Sequence, residues 1–143
     1  MSIIHRENYT QQAVAVLVDA EALAADTTPA AVDLQGYDAC SILISVGVGG
    51  ITFSGTNKVE FVLTHSDDDS TYANVADVDM IGVSSISGGI IHSLEAAHAA
   101  ATTTLYGYRG GKRYLKLLAD FSGTHGTATP MSATAIKAGA HVA

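Results

Sequence analysis

At 143 residues the chain is of single-domain length, enough to bury roughly 68–70% of its unfolded surface around one core. Hydrophobic residues make up 48% and charged residues only 15%, against about a quarter in an average soluble domain, so part of the uncharged surface is expected to lie against partners. Fourteen acids against seven bases give a formal charge of -7, which opposes capture of a phosphate backbone and leaves nucleic acid outside the expected ligands.

Residues 1–12 read as an N-terminal arm that partners would order, followed by a single β-rich domain; together they make up 1–143. The first eight residues lack the basic stretch and apolar run that export requires, and no run of about 18 apolar residues occurs, so synthesis in the cytoplasm and no membrane association are expected. Val14, Val16 and Val18 alternate as one face of a first strand, and Ile42, Ile44, Val46 and Val48 as one face of a second. Cys40, at the head of that second strand, is the lone cysteine; it is expected to be a buried, reduced thiol, with no internal disulfide and no Cys-based zinc site. Val59, Phe61 and Leu63 form the next apolar face, opposite Lys58, Glu60 and Thr64. Residues 93–104, rich in alanine, read as a short helical or loop excursion. Leu115, Leu117, Ala119 and Phe121 then alternate with Tyr114, Lys116 and Asp120, and 131–138 reads as a closing strand.

Turn formers separate these runs, among them 26–29, 47–50, 66–70, 110–111 and 123–126. Short strands with turns at this spacing predict an all-β fold, a β-sandwich or open barrel, and a single-domain, jelly-roll-like β-sandwich is the expected architecture.

Asp67, Asp68 and Asp69 invite a calcium site, but an EF-hand loop needs alternating acids, a central glycine and a distal Glu. A hairpin tip whose side chains bond their own backbone is the expected arrangement. Six histidines, at 5, 65, 92, 98, 125 and 141, show no metal-binding spacing. With no nucleophile elbow and no phosphate-binding glycine loop, neither enzyme activity nor a cofactor is expected.

The run YGYRGGKRYLK at 106–116 holds four of the seven basic residues: Arg109, Lys112, Arg113 and Lys116. Three readings fit it: a strand-binding or glycan-binding basic patch, a glycine turn with solvated flanking charges, or a docking point for acidic partner surface. The concentration of base in so acidic a chain favours the docking point.

The order of segments, a valine strand, DTTPAAVDLQGYD at 26–38, a glycine-closed strand, FVLTHSDDDSTY at 61–72 and YRGGKRYL at 108–115, resembles small structural proteins encoded beside the capsid genes of tailed bacteriophages. These include the decoration or cement proteins of the capsid exterior, and the resemblance spans most of 12–140. It implies a virion structural protein that binds and stabilises an assembled capsid, with the major capsid protein as partner, and a homotrimer. Another virion position, in the head–tail connector or tail, is the nearest alternative; a carbohydrate-binding β-sandwich module is the other. The tip and KRYL strand also resemble discoidin-type jelly rolls, although this chain has no Trp and three Phe.

Overall fold

The structure, a computed structural model, describes residues 8–140. The N-terminal arm therefore lies outside the described residues up to position 7, as do His5 and His141. Residues Tyr9–Gln11 form a 3-10 turn leading into ten strands: β1 (Ala13–Leu23), β2 (Val32–Asp33), β3 (Tyr37–Val46), β4 (Lys58–Ser66), β5 (Ala73–Asn74), β6 (Met80–Ile81), β7 (Ile90–Leu94), β8 (Thr102–Tyr108), β9 (Tyr114–Ser122) and β10 (Thr129–Ala140).

All pairings are antiparallel. The first sheet runs β1-β10-β3-β8-β6; the second runs β2-β9-β4, with β5 and β7 both pairing β4. Without the two-residue strands β5 and β6, the sheets become β1-β10-β3-β8 and β2-β9-β4-β7, the order of a jelly roll. The fold is thus the all-β sandwich that the alternating sequence predicts.

Period-two alternation builds the core. Ile42, Ile44 and Val46 from β3, with Ala133 and Ala135 from β10, meet Val59, Phe61 and Leu63 from β4 and Leu115, Leu117 and Ala119 from β9, all fully or nearly fully buried. The small alanines on β10 let the larger side chains of the facing sheet fill the layer.

Two sequence expectations change, and a third resolves. Val14, Val16 and Val18 do not share a face: the register of β1 against β10 shifts between Val16 and Val18, so Leu17 and Val18 are both buried while Val14 and Val16 stay exposed. Val48 lies beyond the end of β3 and is exposed, because the chain has already turned at Gly47. Of the two forms expected for 93–104 the loop is the one found: β7 ends at Leu94, β8 begins at Thr102, and the residues between form neither helix nor strand.

Candidate interaction surface

The basic run lies at one end of the sandwich, where the β2–β3, β4–β5 and β8–β9 connections meet. Gly110 is required there: a Cβ on it would stand 2.6–2.8 Å from the Tyr108 ring, which closes the turn from inside. Lys112 N–H donates to the Tyr108 hydroxyl at 3.1 Å, and that oxygen is 2.8 Å from Nδ1 of buried His65. Asp79 Oδ2 lies 4.0 Å from His65 Nε2 and favours the tautomer with its proton there, in which the Tyr108 hydroxyl donates to Nδ1. Burial lowers the His65 pKa, opposing the pull of Asp79, and pushes Tyr108 up to about 12.

Each of the four basic side chains engages a group of its own chain. Arg109 Nε donates to Val78 O at 3.0 Å, and Lys112 Nζ pairs with Asp67 Oδ2 at 3.0 Å. Arg113 grips Asp33 through two bonds of 2.9 Å, which with the Gln35 N–H hold the Asp33 pKa down at about 2. Lys116 stands over the Tyr72 ring, 4.3 Å from its centroid. The structure brings Arg109, Lys112 and Arg113 to the rim of one crevice of about 750 Å³, with Tyr37, Asp38 and Cys40 also lining it; Lys116 is on the outer face of the second sheet instead. Cys40 is 4% exposed, and burial raises its pKa to about 11.

The aspartate tip beside the basic turn bonds to itself. Asp68 accepts from the backbone N–H of Thr71 and Ser70 and from the Ser66 hydroxyl, all at 2.8–2.9 Å, which lowers its pKa to about 2. The Tyr72 hydroxyl donates to Asp69. Among the described residues no three His, Cys, Asp or Glu side chains stand together to hold a metal ion.

Sequence reasoning missed the outer face of the first sheet. Register places Val14, Ile136, Ser41, Gly107 and Ile81 in one row across it, and Val16, Thr134, Leu43 and Leu105 in the next. Ser132, Ser45 and Thr103 make a third row. None of these residues is charged, and Val14, Ile81 and Leu105 are 71%, 57% and 58% exposed. The outer face of the second sheet contrasts with it: Lys58, Glu60, Lys116 and Asp120 project there, and Lys58 pairs with Glu60 at 3.0 Å. Outward residues of β10, β3 and β8 are spread from Ser41 to Ile136 in the sequence, so only the pairing collects them.

Compared with known proteins, the chain matches no family model, no curated protein and no solved structure.

Proposed function

We propose that this chain is a non-catalytic structural subunit of a virus particle, a decoration or cement protein that binds the outside of an assembled capsid and stabilises it. The observation that carries this reading is the pair of uncharged rows across the outer face of the first sheet, from Val14 to Ile81 and from Val16 to Leu105. In a chain of formal charge -7, the acids would be expected to spread over every wetted surface. Two adjacent rows with no charge, one crossing five strands and one four, with exposed valine, isoleucine and leucine, are the kind of surface that loses little on leaving water and gains on packing against protein. A subunit that binds the assembled shell better than its free parts stabilises the shell by mass action, with no catalytic group needed. The resemblance of the segment order to phage head proteins supplies the partner, the major capsid protein, and the setting, a virion assembled in the host cytoplasm.

The basic turn is the second contact in this reading. Its ion pairs with Asp33 and Asp67 are solvent-exposed, so exchanging Asp67 for an acid of the shell protein costs little. The carbohydrate-binding reading is less well supported. Of the aromatics it would use, Tyr72 is covered by Lys116, Tyr106 bonds His92 at 2.6 Å and Tyr108 is buried against His65.

The test adds purified protein to undecorated particles and measures occupancy relative to the shell protein. Saturation at a fixed ratio is expected, with Leu105→Glu removing binding while its thermal melt is unchanged. Arg109→Glu with Lys112→Glu should weaken binding in a salt-dependent way. Failure of the wild-type protein to reach a fixed ratio on particles would overturn the reading.

A further inference from the structure

An edge strand presents unpaired N–H and C=O groups, so sheet edges are where a sandwich either blocks or accepts further pairing. Three edge strands here, β2, β5 and β6, are only two residues long, and β7 has five residues with a register shift against β4. β1 differs. It has eleven residues, ends the first sheet and among the described strands pairs only with β10.

The two halves of β1 are built differently. The second half carries Asp19 and Glu21 and two register shifts, one between Val16 and Val18 and one between Val18 and Glu21. Bulges and charges of this kind turn an edge away from new partners. The first half, residues 13–16, keeps an unbroken register with β10, holds no charge, and exposes Val14 at 71% and Val16 at 56%.

We propose that residues 13–16 are the contact through which two copies of this chain pair, antiparallel across a two-fold axis, so that their first sheets join into one. Within this segment Val14-Ala15-Val16 reads the same in both directions, so a two-fold axis at Ala15 places the same residue pair on both sides. Opposed residues in a ladder share a face, so exposed Val14 stands opposite Val16 of the second copy, with Ala15 on the axis.

Charge selects this register. With Ala15 on the axis, Asp19 and Glu21 lie beyond the paired segment, toward the 3-10 turn of the second copy, whose Tyr9, Thr10 and Gln11 carry no charge. The two Asp19 positions are then about 27 Å apart along the strand, eight residues at ~3.4 Å, well beyond the screening length of about 8–10 Å. Centring the pairing on the second half would instead oppose Asp19 with Glu21, like charges across a ladder in a chain already at -7. Val14 and Val16 also begin the uncharged rows of the outer face, so pairing extends that surface from one copy to the next. The resulting contact is two-fold, distinct from the trimer that the phage resemblance implies. It is read on the isolated protein, so its outcome is separate from that of particle binding.

The experiment is sedimentation of the full chain at rising concentration, up to about 1 mM, the scale of weak self-association. A concentration-dependent dimer is expected, lost in Val14→Lys while the melting temperature of that variant is unchanged. A second arm oxidises Val14→Cys and Val16→Cys proteins, alone and mixed. The mixture should yield several-fold more disulfide dimer than either protein alone, because opposed Cβ atoms are about 4.5–5.5 Å apart and diagonal ones about 7–8 Å. A purely monomeric wild-type protein at the highest concentration overturns the proposal, as does dimerisation undiminished by Val14→Lys or equal crosslinking with and without mixing. Dimerisation seen only after removal of residues 1–7 also overturns it, by making that segment the occupant of the β1 edge.

Discussion

The two ends of the sandwich solve the closing of loops over a β core in opposite ways. At the end holding the basic turn, polar groups are placed to satisfy one another: Arg113 with Asp33, Lys112 with Asp67, the aspartate tip with its own backbone, and Tyr108 between His65 and the Lys112 N–H. At the other end the loops pack on rings. Phe53 stacks on His98 at 5.4 Å between centroids and lies 6.2 Å from His125, whose ring also meets Phe121 edge-on at 4.9 Å. Polar groups there are served incompletely: His98 and His125 donate Nε2–H to the Gly47 and Ser122 carbonyls, while Nδ1 of each and Oγ1 of Thr129 are buried with no hydrogen-bond partner among the described residues. The lesson is that a hydrogen-bonded end tolerates surface change and an aromatic end tolerates little, because close packing leaves no room for added atoms.

Gly50 is where this difference should be largest. Its φ is +82°, and a Cβ would stand 1.9 Å from Thr129 Oγ1 and 2.9 Å from Thr129 Cβ. Gly50→Ala should therefore cost about 2–4 kcal/mol through backbone strain and overpacking together, measured by denaturant unfolding. A loss under about 0.5 kcal/mol, the range of an ordinary surface change, would erase the contrast between the ends.

At the hydrogen-bonded end the comparable blow is Tyr108→Phe. It strands buried His65 Nδ1 and the Lys112 N–H at once, and should cost about 1–3 kcal/mol. Two tyrosine-bonded histidines, His65 in this network and His92 beside Tyr106, set a pH response. Burial lowers the His65 and His92 pKa values below the ordinary 6.5, so below about pH 6.5 the unfolded chain binds more protons than the folded one. Stability is then fully present above that pH and falls as pH drops through the folded values. Asp33 and Asp68, both held at about 2, contribute stability that is present above about 3.8 and lost as pH falls toward about 2. Melts between pH 7 and 5 isolate the histidine effect, and a flat profile over that window would count against burial as its cause.

Thr129→Val should act in the favourable direction. It replaces an unpartnered buried hydroxyl by a methyl of similar shape, and a gain of about 1 kcal/mol is expected in the same unfolding assay. The smallest effect belongs to Lys112→Ala, which removes an ion pair whose two side chains are 36% and 72% exposed; a change of about 0–1 kcal/mol, shrinking with salt, is expected.

Much of this was legible in the sequence and the failures have definite causes. The strands β3, β4, β9 and β10 were readable because one face of each is aliphatic and buried while the other is not. β8 was not readable as a strand, since Thr102–Tyr108 buries tyrosines rather than an aliphatic run, and Tyr106 and Tyr108 point inward because His92 and His65 of the facing sheet take their hydroxyls. β1 misled because its register shifts midway, and a shift of one residue exchanges the two faces of a strand. The basic turn was found from charge alone, whereas its acid partners Asp33 and Asp67 lie 80 and 45 positions away.

What the sequence determined by itself was the all-β class, the turn positions, the burial of the Cys40 side chain and most core residues, because these follow from local alternation and from residues that cannot continue a strand. Tertiary structure alone decided the jelly-roll order, the intrachain partners of the four basic residues and the uncharged rows across the first sheet. Each of these depends on which strands lie side by side, and pairing between strands far apart in the chain is fixed by the packing of the shared core rather than by any local pattern.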